Sequence, residues 1–170
     1  MGQMSNRDDL QAEYGAVMRE FMASAVFFQD AVARAAGLNS TDLQALGLLV
    51  SAGSLSPGEL ARQTGITAGG AITLLVDRLE AAGLAHQSRD EQDRRKVRIT
   101  PDSAQAHARL APLYDGVGRA WQSYLATQTS DQLAIGIAQL RAAVAINREQ
   151  TQALTHESSA KPVSTDRGTR

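Results

Sequence analysis

Cysteine is absent from all 170 residues. That excludes disulfides, thiol chemistry and cysteine–zinc sites. Aromatic residues make up only 4%, and with Ala, Leu and Gln frequent the balance favours helices over a β-sandwich. No apolar run approaches the ~18 residues needed to span a bilayer. The opening MGQMSNRDDL has no basic-then-apolar leader pattern. These absences read as a soluble cytoplasmic protein with no membrane partner. There is no basic excess either: 17 Lys and Arg face 18 Asp and Glu, for a net charge of −1. Catalytic groupings are missing as well. No nucleophile–base pair stands out, and GITAGG is Gly-rich but lacks the lysine and spacing of a phosphate loop. His86, His107 and His156 are far apart, without paired ligand spacing. No enzyme, metal site or cofactor is expected.

The charge that is present is unevenly placed. Residues 1–59 carry three basic and seven acidic residues, net −4. Residues 60–100 carry seven and five, net +2, and residues 101–170 seven and six, net +1. The densest stretch is RDEQDRRKVRIT, residues 89–100, with five basic and three acidic residues. Local charge of this kind, rather than the total, governs binding to a polyanion.

Periodicity sets the elements around it. Leu10, Tyr14, Val17, Phe21, Phe28 and Ala35 recur at helical spacing over about 7–36, with Met18, Met22 and Val26 as a second apolar strip. A helix apolar on two faces has two packing partners, its own core and a second subunit. NSTDLQALGLLVSAG predicts a second helix, capped by Ser40 or Thr41 and closed by Gly53. SPGELARQTG carries the clearest start in the chain: Ser56 as N-cap, Pro57 at the first helical position and Glu59 completing a capping box. Gly65 supplies a left-handed stop. Thr67 then caps TAGGAITLLVDRLEAAG, which ends at Gly83. A short helix, a tight turn and a second helix make a helix-turn-helix.

Beyond it, LAHQSR and RKVRIT alternate, with Leu84, Val97 and Ile99 inward and Lys96, Arg98 and Thr100 outward, as in a two-stranded hairpin. Pro101 ends the second strand, and Asp102 or Ser103 begins a long helix to about 128, which Pro112 should bend or split. TSDQL caps a last helix over about 130–154, with Leu133, Ile137, Leu140 and Val144 on one stripe. Residues 155–170 are polar and expected to be disordered. The fold class is therefore mainly α with a small β-hairpin wing.

On the helix after Gly65, Ala68, Ile72, Leu75, Val76 and Leu79 form the core face. The opposite face carries Gly70, Thr73, Leu74 and Asp77, with Gly69 and Arg78 at its flanks. The second helix of such a motif enters the major groove with its N-terminal half on base edges. Thr73 can bond a base or a phosphate; Leu74 offers only apolar contact, for example to a thymine methyl. Gly69 and Gly70 either let the backbone approach phosphate or let the preceding helix pack closely. Asp77 repels phosphate and is expected to pair with an arginine. The hairpin tip presents Arg94 and Arg95, suited to the narrow minor groove, with Lys96 and Arg98 on the return strand. Asp93 is placed to aim Arg95.

Taken together, SPGELARQTGITAGGAITLLVDRLEAAGLAHQSRDEQDRRKVRIT, residues 56–100, resembles the MarR family of dimeric winged helix-turn-helix regulators. VDRLEAAGL and DRRKVRIT match its recognition-helix end and wing. The helix order extends the resemblance over about 7–154. It implies one domain, with 38–100 as the DNA-binding region and 7–36 and 102–154 as helices of a homodimer. Double-stranded DNA is the implied partner. Thr67, Gly69, Gly70, Thr73, Leu74, Arg78, Asp93, Arg94, Arg95, Lys96 and Arg98 are the contact candidates. Arg95 would enter the minor groove with Asp93 bracing it, and Asp77–Arg78 matches a structural pair. Many relatives are repressors released by a small lipophilic or phenolic effector. Two departures stand out: Leu74 replaces a common arginine or polar residue, and ITPDSAQ lacks the glycine that usually follows the wing. The competing reading is a helical protein-interaction module on a winged-helix scaffold, in which Arg95→Ala would leave function intact.

Overall fold

The computed structural model describes residues 2–66, 69–89, 93 and 95–160, with the backbone alone for 2–5 and 155–160. Six helices and one hairpin follow in chain order: α1 (Gly2–Ala35), α2 (Ser40–Ala52), α3 (Pro57–Thr64), α4 (Gly69–Ala81), β1 (Ala85–Arg89), β2 (Val97–Pro101), α5 (Ser103–Leu125) and α6 (Ser130–Ala160). The chain divides into two compact units, Met1–Gly116 and Val117–Arg170.

The first unit holds the core. Leu46, Leu49, Leu60, Leu75, Leu79, Leu84 and Ile99 are almost wholly buried, so α2, α3, α4 and the hairpin close on one apolar centre. Leu75 and Leu79 lie four residues apart on one face of α4, and Leu84 and Ile99 point inward from the hairpin as alternation requires. The strands pair antiparallel, Gln87 opposite Ile99 and Ala85 opposite Pro101. The Ile99 N–H also donates to the Leu55 carbonyl at 2.8 Å, and the Leu55 N–H returns a bond to the Ile99 carbonyl at 3.0 Å. The chain between α2 and α3 thereby pins the outer edge of β2.

Local chemistry explains the boundaries. Ser56 and Glu59 form the expected capping box, with Pro57 opening α3 and Gly65 at φ +72° closing it. The start of α2 differs from expectation: Asn39 is the N-cap, its Oδ1 accepting from the Asp42 N–H at 2.8 Å. The Ser40 hydroxyl is instead spent on Asp30. Pro101 ends β2 as expected, forming its last pair opposite Ala85. Asp102 then caps α5 by accepting from the Gln105 N–H at 2.9 Å. The helix runs on through Pro112, and α6 continues to Ala160, past the expected end at about 154.

In the first unit the N-terminal half of α1 stays uncovered: Tyr14, Val17, Phe21 and Met22 are exposed. Phe28 is half-buried and meets Tyr114 edge-on at 5.6 Å, while the Tyr114 hydroxyl donates to Gln29 at 2.8 Å. In the second unit Trp121 and Tyr124 stack edge-on at 5.8 Å, yet both remain exposed, as do Ile137, Leu140 and Val144 of α6. No helix among the described residues is long and apolar enough to cross a membrane.

Candidate nucleic-acid interface

Leu75, Val76 and Leu79 root α4 in the core, so its opposite face is left to solvent. Gly69, Gly70, Thr73, Leu74 and Asp77 are all exposed there, and Leu74 reaches 61% exposure. A Cβ added at Gly69 or Gly70 meets nothing within 4 Å. Close packing of the preceding helix is therefore not what these glycines permit; they leave a bare backbone at the head of the helix. The Thr73 hydroxyl turns back to the Gly69 carbonyl at 3.3 Å. Among the described residues Asp77 has no arginine pair. Thr67 lies outside the described residues.

Arg78, read from the sequence as a DNA contact and as the partner of Asp77, pairs instead with Asp42 of α2. Its Nε donates to Asp42 Oδ2 at 2.8 Å and its Nη2 to Oδ1 at 2.6 Å. Asn39 Nδ2 adds a third bond to the same carboxylate at 2.9 Å. The Asp42 side chain is 3% exposed and that of Arg78 48%. A bidentate guanidinium–carboxylate pair fixes orientation as well as distance, so it sets the angle of α4 against the first turn of α2. These hydrogen bonds to Asp42 also push the Arg78 pKa further up. Asp42 was legible only as a helix-start residue, since nothing in the local sequence marks a partner 36 positions away.

The hairpin is tied down on both strands. Glu80, near the end of α4, accepts from the Gln87 N–H at 2.6 Å and from Gln87 Nε2 at 3.1 Å, holding β1. Arg98 holds β2: its Nη2 donates to the Ser54 carbonyl at 2.8 Å and hydroxyl at 2.7 Å, and its Nη1 to Glu59 at 3.1 Å. The expectation of an outward-facing Arg98 is thus corrected. The guanidinium folds onto the α2–α3 turn because that turn offers a carbonyl, a hydroxyl and a carboxylate together. Glu59 joins the α3 cap to the wing, and its pKa is lowered, first by the Ser56 backbone N–H, then by the Ser56 hydroxyl and by Arg98.

The tip keeps its exposed cations. Arg95 and Lys96 are exposed, and Lys96 Nζ lies 3.5 Å from Asp93. Asp93 meets Arg95 through the backbone, Oδ1 accepting from the Arg95 N–H at 3.1 Å. It therefore orders the turn that carries Arg95 rather than gripping its side chain. Arg94 lies outside the described residues. The first unit thus joins a helix face of Gly69, Gly70, Thr73, Leu74 and Asp77 to a basic wing braced on both strands.

A second feature of this unit is a cavity of about 830 Å³ lined by Gln29, Leu43, Gln44, Leu46, Gly47, Val50, Ser103, Ala106, His107, Leu110, Ala111 and Tyr114. None of the aromatic residues Tyr14, Phe21, Phe28, Trp121 and Tyr124 lines it.

Comparison with known proteins agrees with this arrangement. The family model described as the MarR family matches residues 36–96. The chain is 38% identical over 104 residues to the HTH-type transcriptional regulator YcgE of Bacillus subtilis, spanning 61% of this chain and 67% of that one. A MarR family protein from Bacillus stearothermophilus has the same fold, with a TM-score of 0.65 at 23% identity, over 85% of this chain and 97% of that one. A mutant of MarR from E. coli, solved in complex with operator DNA, gives 0.51 at 19% identity, over 76% and 91%.

Proposed function

Because the chain belongs to the MarR family of regulators, we propose that it is a DNA-binding transcription regulator that holds a pseudo-palindromic operator as a homodimer. The carrying observation is the exposed face of α4, uncovered opposite a full core and set beside a wing braced through Glu80 and Arg98. Bases are read by a helix in the major groove, while phosphate and minor-groove contacts come from cations. Thr73 and Leu74 are assigned to the first task and Arg95 and Lys96 to the second. Arg78 and Arg98 are positioning residues whose guanidinium groups are already engaged. The family is one of regulators, and no reaction is assigned.

The second subunit answers a physical need. Tyr14, Phe21, Trp121 and Leu140 are each about half exposed, and burying that remaining half stabilises by roughly 1–1.5 kcal/mol each. A two-fold partner that covers these faces of α1, α5 and α6 buries them all, and two reading helices of such a dimer lie about one turn of DNA, ~34 Å, apart.

The cavity suits an effector. Its lining is mostly apolar, with Gln29, Gln44, Ser103, His107 and Tyr114 as its polar members and neither lysine nor arginine. That chemistry favours a neutral lipophilic or phenolic molecule over a carboxylate. It touches α2, whose first turn sets α4 through Asp42, so a ligand there shifts the reading head and releases DNA. Within this proposal the chain is read as a repressor that works in the cytoplasm. Selection of bound fragments from a random DNA pool tests it: an enriched two-fold symmetric site supports it, and a pool that stays unenriched at low salt refutes it.

A further inference from the structure

α4 is an unusual reading helix, because the side chains that read bases by paired hydrogen bonds are missing from its open face. Arg or Lys reads guanine, and Asn or Gln reads adenine, through two bonds at once. From Gly69 to Ala81 the only such residue is Arg78, and its guanidinium is committed to Asp42 through two bonds. The Thr73 hydroxyl donates to the Gly69 carbonyl, which leaves its oxygen as an acceptor and its methyl as an apolar contact. Gly69 and Gly70 have nothing to offer beyond the backbone. Asp77 can only accept, and it repels phosphate.

What remains is carbon. Leu74 stands 61% exposed although the two residues that follow it, Leu75 and Val76, are 1% and 2% exposed. Beside it Ile66, Ala71 and Leu75 join Asn39, Thr41 and Arg78 in lining a shallow cleft of about 310 Å³. An apolar side chain in the major groove has one partner of its own kind, the 5-methyl group of thymine.

We propose that α4 reads its operator by methyl contact, with Leu74 packed on a thymine 5-methyl in each half-site as the specificity-determining side chain. This rests on the proposed function, since it presumes that α4 enters the groove. The helix then selects A·T pairs by carbon packing, and the wing cations supply affinity without sequence. A 5-methylcytosine presents the same methyl at the same place in the groove, so it substitutes for thymine where plain cytosine does not.

The test uses the full chain and the operator recovered by selection. Each thymine is replaced in turn by deoxyuridine, which keeps every hydrogen-bonding group and removes only the methyl. Burial of one methyl corresponds to about fourfold in affinity, hence about fifteenfold when both half-sites are changed. Fluorescence anisotropy is expected to find one symmetric thymine pair with that loss in the wild-type chain and no loss in Leu74→Ala. Cytosine at that pair weakens binding, and 5-methylcytosine recovers most of the difference. Leu74 is exposed, so the Leu74→Ala chain folds, and an unchanged circular dichroism melt verifies this. If operator binding is intact but no deoxyuridine separates wild type from Leu74→Ala, the methyl reading is overturned while the DNA-binding reading stands. If no DNA is bound at all, both fall.

Discussion

Replacing Arg78 by Met removes two of the three hydrogen bonds on the Asp42 carboxylate and leaves it with Asn39 Nδ2 alone at 2.9 Å. Its side chain is 3% exposed, so water does not readily replace what is lost. Breaking a buried ion pair from one side costs about 3–5 kcal/mol. Arg78 is itself half exposed, which lowers the cost here to about 2–3 kcal/mol. Asp42→Asn is milder, about 1–1.5 kcal/mol, because the freed guanidinium rehydrates. If the two residues act as a unit, the double variant costs less than the sum, with a coupling of about 1–2 kcal/mol. Urea unfolding at one fixed protomer concentration measures all four chains. A coupling within about 0.3 kcal/mol of zero refutes the brace. DNA binding adds an independent arm. A phosphate contact contributes about 0.9 to the slope of log K against log salt. If Arg78 aims α4 rather than holding a phosphate, Arg78→Met should weaken binding with the slope unchanged.

The wing separates the same two roles. Arg95→Ala should reduce the salt slope by about 1 per subunit, whereas Arg98→Ala or Glu80→Ala weakens binding through a loosened hairpin and leaves the slope alone. Ser56→Ala removes the hydroxyl half of the α3 capping box and should lower stability by about 1 kcal/mol, read as a shift in the urea midpoint. Gly65→Ala forces a side chain into φ +72° at a cost of about 1–2 kcal/mol, although open space surrounds that position. Glu59 has its pKa lowered in the fold, so its charge stabilises the protein above the usual carboxylate range. That contribution is lost as the pH falls through the lower folded value. The gap in melting temperature between wild type and Glu59→Gln should therefore be widest near neutrality and close under acid.

Elements and caps were legible because their causes are local. The Ser56–Glu59 box, Gly65 and the alternation that buries Leu84 and Ile99 each depend on residues within a few positions. The long-range ties were not legible. Asp42 to Arg78 and Arg98 to Ser54 and Glu59 join residues 36 to 44 positions apart, and a charged side chain looks the same in sequence whether it faces solvent or a buried carboxylate. Both arginines consequently stood among the DNA contacts and now read as struts. Leu74 moved the other way: an odd departure in sequence stands 61% exposed on the open face of α4. Asn39 was missed as a cap because Ser40 and Thr41, equally good by type, follow it directly.

In this scheme the uncharged first half of α4, residues 69–76, and a cationic wing together grip DNA. The most direct test is the affinity of the full chain for its selected site across a salt series, for wild type, Leu74→Ala and Arg95→Ala. The account predicts a steep slope that Arg95→Ala flattens by about 2 per dimer, and a loss for Leu74→Ala confined to the selected site at constant slope. Binding that ignores salt, or an Arg95→Ala chain that matches wild type throughout, would contradict it.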